Sequence, residues 1–462
     1  MNMMVDKMFL LSAAMAGFIL MATGPVTAQT FTTLYNFNQV TNDGTGPQGG
    51  LVLLGNTLYG TTSGGGANGS GTVFKINTDG NNYSIAYNFS AVDPITNGDG
   101  ALPDAGLTLA GTTFYGTAPY GAASGDGAIF AFNTDGGFTN LYSFTNGPDK
   151  SEGVDGSRPH GGVVLSGDTL YGTAEIGGIW DVGTVFAVGT NGTDFTVLHS
   201  FNGTDGALPV AGLVISSNTV YGMTTTSGNI FSVNTDSMEF SNIYTFSSLI
   251  NGTNGDGFAP QDGLILSGNT LYGTADLGGS SGDGTVFAIN TDGTGFTNLH
   301  SFSGATDGAG PLGGLLLVGN ALYGTTQAGG ASGYGTVFEI NTNGLGFTTL
   351  HAFNQSDGAT PYAGLIYSGG VLYGTTYEGG SNSAGTVFAL APAPPPLTIV
   401  QSGTNVILTW PATAIAFTLR CNTNLLCAAW SVVSTEPTIV NGLNTVTNSI
   451  YGTENFYQLT WQ

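Results

Sequence analysis

Apolar and polar positions along the chain alternate in short runs, and the runs come in groups of four. One group shows the pattern: GLILS at 263–267, TLYGT at 270–274, GTVFAI at 284–289 and FTNLHSF at 296–302. Each run is rich in Val, Ile, Leu, Thr and Phe and is bounded by Gly, Asn, Asp or Ser. That predicts β-strands joined by turns. Nothing within the groups carries a helical period of useful length.

The group recurs seven times, anchored by Tyr-Gly at Tyr59, Tyr115, Tyr171, Tyr221, Tyr272, Tyr323 and Tyr373, at a pitch of 50 to 56 residues. A fixed period of this size marks an array of identical supersecondary units. Four strands per unit of about fifty residues predict the blade of a β-propeller, and seven blades lie in the common range. The strands are A (Gly-Leu), B (Leu-Tyr-Gly-Thr), C (Gly-Thr-Val-Phe) and D (Phe-Thr-x-Leu). Strand D occurs first, at 31–37, before any A, B or C, whereas the last group, 364–390, lacks a D. The N-terminal strand is therefore expected to complete the seventh blade by pairing with 385–388, which removes an open sheet edge. The A–B and C–D turns are short, and the B–C and D–A loops hold the length variation. One face is thus expected to carry the long loops, and with them any function.

Composition breaks after residue 390. The APAPPP run at 391–396 reads as a stiff linker. The remaining 397–462, with VILTW at 406–410, FTLR at 417–420 and FYQL at 456–459, read as a small β domain. The expected fold class is all-β: a seven-bladed β-propeller over 29–390, followed by a small C-terminal β-sandwich-like domain. At the other end, Lys7, the apolar run 8–22 and VTA at 26–28 predict a signal peptide over 1–28, too short for a membrane span. The mature chain is accordingly expected outside the cytoplasm, secreted or at the cell surface.

Charge narrows the partners. The formal net charge is −24. Beyond the signal segment the only cations are Lys75, Lys150, Arg158 and Arg420. Such a surface repels phosphate backbones, which argues against nucleic-acid binding. Two cysteines, Cys421 and Cys427, suit either one disulfide or two thiols, and a zinc site needs more ligands than their neighbourhood offers.

Candidate chemistry falls into three sets. Asp-Gly-x-x-Pro begins at Asp43, Asp99, Asp155, Asp205, Asp256, Asp307 and Asp357, each in a D–A loop. A ring of carboxylates would suit a hard cation such as calcium. A residue needed once per blade is more simply a turn-fixing acceptor of backbone N–H bonds. His199, His300 and His351 stand where Tyr35, Tyr142 and Tyr244 stand in other groups, which reads as packing. His160 differs: it follows Pro159 in the longest D–A loop, with Lys150 and Arg158. That cationic spot suits a carboxylate or sulfate ligand, or else a salt bridge to Asp149, Glu152 or Asp155 in the same loop. Third, Tyr120, Trp180 and Tyr377 lie in B–C loops near Glu175, Asp276 and Glu378, a composition suited to stacking on sugar rings. A GxGxxG match at 64–69 has no helix after it and forms no phosphate cradle.

The repeated LYGTT, GTVF and DGxxP elements over roughly 31–390 resemble those of bacterial choice-of-anchor tandem repeat GloVer-containing proteins. The resemblance implies secretion, a propeller-like array and a variable C-terminal module, and brings no catalytic residues with it. The expected function is that of a non-enzymatic binding or cell-surface scaffold module acting through its loop-rich face, without metal or cofactor. The alternatives are a carbohydrate-active enzyme (glycoside hydrolase or polysaccharide lyase) using carboxylates on that face, and a structural or adhesive surface component.

Overall fold

The structure is a computed structural model that describes residues 29–39, 42–145, 154–226, 228–392, 397–411, 417–422, 430–441, 443–449 and 456–461. The predicted signal segment, Lys150, most of the proline-rich linker and Cys427 lie outside the described residues. Every regular element among the described residues is a β-strand. Residues 30–391 build seven four-stranded antiparallel sheets. The third repeat is representative, with A Val164–Ser166, B Thr169–Ala174, C Thr184–Gly189 and D Thr196–Ser200. Strand A is shorter than its sequence run. Its leading glycine abuts the preceding repeat instead of pairing with B, and a Cβ on Gly162 would sit 3.1 Å from the Gly106 carbonyl oxygen.

The last repeat takes its fourth strand from the start of the chain. Thr30–Asn36 pairs with Thr386–Ala391, Thr30 opposite Ala391 and Asn36 opposite Thr386. Strand C there includes Ala391, one residue past the predicted end of the array.

Packing explains the Tyr-Gly anchor. In each sheet the glycine of B lies opposite the phenylalanine of C, as Gly172 lies opposite Phe186. The ring fills the space a side chain would take: a Cβ on Gly172 would meet Phe186 Cζ at 2.6 Å, and the other six repeats give 2.5 or 2.6 Å. The tyrosine beside it faces the next sheet, as Tyr59 does against Phe114 with ring centroids 4.4 Å apart. Seven apolar clusters result, each drawn from two consecutive sheets, and one of them joins the last sheet to the first through Tyr373, Val387, Leu58 and Phe74.

A β-bulge in every C–D pairing settles which way strand D faces. Strict alternation would put Phe138, Tyr142 and Phe144 on one face of their strand. The bulge at Leu141 reverses the phase between them. Phe138 therefore packs toward the first sheet, whereas Tyr142 and Phe144 pack toward the third.

Past the linker, Thr398–Ser402, Asn405–Pro411, Leu443–Ser449 and Thr438–Val440 form one sheet, and Ser431–Val432, Phe417–Asn422 and Phe456–Trp461 another. Leu408, Trp410 and Val446 of the first share a core with Leu419 and Tyr457 of the second.

Candidate functional site

Tyr120, Trp180 and Tyr377 come from B–C loops, whereas the D–A loop carries the repeated carboxylate and, in one repeat, Arg158 and His160. Its aspartate reaches back to strand D. Asp43, Asp99, Asp155 and Asp256 accept from the hydroxyls of Tyr35, Tyr87, Tyr142 and Tyr244 at 2.7 to 2.9 Å. Asp205, Asp307 and Asp357 lie 3.1 to 3.2 Å from Nε2 of His199, His300 and His351. Each aspartate also accepts a backbone N–H at the start of its loop, from Asn38, Ser90, Thr145, Asn202, Ser247, Ser303 or Asn354. Burial raises the pKa of each of these tyrosines, and the aspartate bond raises it further. Burial lowers each of the three histidines in spite of the carboxylate beside it. Among the described residues no group of three or more His, Cys, Asp or Glu side chains is placed to share a metal ion.

Three residues on, the chain turns left-handed. The residue before each proline has positive φ: Gly46, Leu102, Arg158, Leu208, Ala259, Gly310 and Thr360 span +54° to +62°. An α-helical conformation is disfavoured before proline. Here the left-handed one lets the peptide bridge neighbours, since Arg158 N donates to Asp126 O of the second repeat and Arg158 O accepts from Glu175 N of the third. The proline then closes over the glycine that opens the preceding strand C. A Cβ on Gly127 would meet Pro159 Cδ at 2.7 Å.

Arg158 is the one cation at this loop position. Its side chain, 44 % exposed, lies 3.7 Å from Glu175 and 5.7 Å over the Tyr120 ring. His160 stands between two carboxylates, with Nδ1 2.6 Å from Asp104 and Nε2 3.4 Å from Glu175. Burial pushes its imidazole down, but the two carboxylates outweigh that and raise its pKa to about 9. The His160 bond holds Glu175 below the usual carboxylate range, with Arg158 assisting. Among the described residues Arg158 pairs with Glu175 of the B–C loop. Asp155 is committed to Tyr142 and Thr145, and residues 149 and 152 lie outside the described residues.

Tyr120, Arg158 and His160 thus come together with Asp104 and Glu175. Trp180 shares a loop with Glu175 but sits at its far end. The neighbouring Ile179 N donates to Ser200 Oγ of strand D, and Trp180 is 63 % exposed. Tyr377 belongs to the last repeat, beside Tyr362 with centroids 5.2 Å apart. Cys421 is a half-buried strand residue whose thiol burial pushes up. Sequence reasoning missed Asp104, and also missed the bonds from Gln261 and Gln327 to Asp276. The available signal was divergence. Directly after the repeated proline stand Gln48, Asp104, His160, Val210, Gln261, Leu312 and Tyr362, a set no shared packing role would select.

The model of the Gloeobacter/Verrucomicrobia repeat matches residues 22–230 and 225–418. The chain belongs to that repeat family. No curated protein matches it. Among solved structures, the family member is similar to an oligogalacturonate lyase in complex with manganese, at 10 % identity over 80 % of this chain and 98 % of that one, TM-score 0.49. It is also similar to TolB from Acinetobacter baumannii, at 14 % identity over 59 % of this chain and 58 % of that one, TM-score 0.36. A likeness of 17 % identity to a 6-phosphogluconolactonase-like protein of Bacteroides uniformis covers 65 % of this chain and 83 % of that one, TM-score 0.41. In the repeat-family chain no helix among the described residues is long and apolar enough to cross a membrane.

Proposed function

We propose that this repeat-family protein is an exported, non-enzymatic binding module built as a seven-bladed β-propeller over 29–391, with a sandwich-like domain after it. Cyclic packing supports the ring: seven inter-sheet clusters close on themselves, and the first strand completes the last sheet. The acidic, charge-poor surface and the leader-like N-terminus support export, with the loop-rich face as working surface.

The observation that carries the binding reading is the group formed by Arg158, Tyr120, Glu175, His160 and Asp104, drawn from two consecutive repeats. Other repeats fold with Leu, Ala, Gly or Thr in place of Arg158, so the fold does not require these charges. A half-exposed guanidinium lying on an aromatic ring suits a ligand carboxylate or sulfate, with an adjoining ring stacked on Tyr120. The hydrolase or lyase reading is less well supported. Glycosidic cleavage needs a carboxyl group with raised pKa as acid. Glu175 is lowered and paired to His160, and Asp276, which burial raises, is bonded to Gln261 and Gln327 and is no part of this group.

The test is a thermal-shift screen of residues 29–462 against acidic and neutral oligosaccharides. Ligand at about a hundredfold excess over its dissociation constant adds roughly 2.7 kcal/mol to stability. The expected result is a shift with an acidic oligosaccharide that Arg158→Ala abolishes. No shift with any acidic oligosaccharide would sink the binding reading of this site and leave the structural scaffold.

A further inference from the structure

We propose a second binding site, for an uncharged saccharide ring, at the seam where the first and last repeats meet. A cavity of about 370 Å³ opens there, lined by Gln39, Thr45 and Ser63 from the start of the array and by Tyr377, Glu378 and Ser383 from its end. That volume lies in the range of small-molecule pockets.

The aromatic wall is built, and built only here. In the other repeats the place of Tyr377, at the end of strand B, holds Ser63, Pro119, Glu175, Thr225, Asp276 or Gln327. Tyr377 is accommodated by a glycine across the seam: a Cβ on Gly46 would meet Tyr377 Cε2 at 2.6 Å and Ser63 Oγ at 3.2 Å. Tyr362 supports the ring again, tilted by 53°. Ser63 Oγ donates to Gly46 O at 3.0 Å, which ties the glycine in place. A ring held by backbone and by a second aromatic loses little freedom on binding, which favours affinity.

The lining chemistry selects the ligand class. Hydroxyls of Thr45, Ser63 and Ser383, the Gln39 amide and the exposed Glu378 carboxylate supply donors and acceptors around one aromatic plate. Among the described residues no Lys or Arg lines the cavity. An anionic ligand would face Glu378 without a counter-charge, and a wholly apolar one would strip water from the hydroxyls without replacing its bonds. A neutral sugar fits both demands, with its C–H face on Tyr377 and its hydroxyls toward Glu378 and the serines.

The test titrates the full mature chain by calorimetry with neutral gluco-, xylo- and manno-hexaoses. Binding of at least one hexaose is expected, weakened at least about tenfold, or 1.4 kcal/mol, by Tyr377→Ala and by Glu378→Gln, and unchanged in Arg158→Ala. Glu378 is exposed, so its substitution reads the site even where Tyr377→Ala fails to fold. The proposal is overturned if no hexaose binds, if binding survives the seam substitution, or if Arg158→Ala abolishes it equally.

Discussion

The Tyr142 hydroxyl donates to Asp155 Oδ2 at 2.7 Å, and the same ring lies on Phe195 of the next repeat, with centroids 3.9 Å apart and planes 5° from parallel. The arrangement recurs in every repeat: Tyr35 on Tyr83, Tyr87 on Phe138, His199 on Phe240, Tyr244 on Phe296, His300 on Phe347 and His351 on Phe31. The last of these ties the sixth repeat to the first strand of the chain. The loop aspartate thus holds a flat ring that joins one outer strand to the next.

Because Tyr and His fill this place with the same two contacts, exchanging them is expected to be nearly neutral. His300→Tyr should change unfolding free energy by no more than about 0.5 kcal/mol, the range of substitutions that break no contact. Asp307→Ala should cost about 1 kcal/mol, since it removes the acceptor of the half-buried His300 ring and of the exposed Ser303 donors. Denaturant unfolding of both variants checks the pair. An equal loss for the two would show that the stacked ring, rather than the carboxylate bond, sets the requirement.

The histidines also give stability two opposed limbs in pH. His199, His300 and His351 are lowered by burial, so the unfolded chain binds their protons more tightly. Their contribution is present above the ordinary imidazole pKa of about 6.5 and is lost as pH falls below it. His160, raised to about 9, behaves oppositely: its contribution is present below about pH 6.5 and is lost as pH rises through its folded value. Melting temperature should therefore fall on both sides of neutrality. Replacing the three strand-D histidines by Tyr should flatten the acid limb alone, and His160→Gln the alkaline limb alone, in melts between pH 5.5 and 9.5.

Glu339 is a local exception to repeat packing. It lies opposite Tyr323, where other repeats place Ala, Ser or Lys opposite their tyrosine. Burial raises its pKa to about 7, against a bond from Tyr323. A raised carboxyl pKa means the folded state holds the proton more tightly, so stability is full below about pH 4.5 and declines as pH rises through 7. Glu339→Ala is expected to stabilise the protein at pH 8, by on the order of 1–2 kcal/mol after allowance for solvent screening, and to leave stability unchanged near pH 4.5. Loss of stability at pH 8 would mean the Tyr323 contact outweighs the buried charge.

Strand positions and the closing strand were legible because they depend on what a repeat displays openly: alternation, turn residues and a missing fourth run. The ring-to-carboxylate bond was not. Its two residues stand 6 to 13 apart, because the loops between them differ in length, so no constant spacing ties Tyr142 to Asp155 as it ties Tyr171 to Gly172. The bulge was hidden for a different reason. Phe138, Tyr142 and Phe144 look like one alternating face, and the phase reversal at Leu141 appears only when the strand is paired. At the candidate site Arg158 and His160 were visible as rare residue types, but their partners Asp104 and Glu175 come from other loops, brought near by left-handed turns that a non-glycine sequence does not announce.

The strongest prediction concerns the first strand. Removing residues 29–41 takes away the strand paired along Thr386–Ala391, the bond from Phe37 N to Gly385 O, the Phe31 ring between His351 and Phe388, and the Tyr35 partner of Asp43. Phe37, fully buried, should contribute about 2 kcal/mol and the half-buried Phe31 about 1 kcal/mol by burial, and the exposed strand C would become an open edge that recruits other chains. The truncated protein is expected to melt far lower and to aggregate. Loss of residues is not loss of closure, so a permuted chain carrying 29–39 after 391 on a short Gly-Ser linker provides the control. It should recover the original melting temperature, because the same strand can pair from either terminus. Recovery would assign the deficit to the missing strand. A truncated chain that melts like the intact protein would mean that the seam between the first and last repeats contributes nothing to the fold.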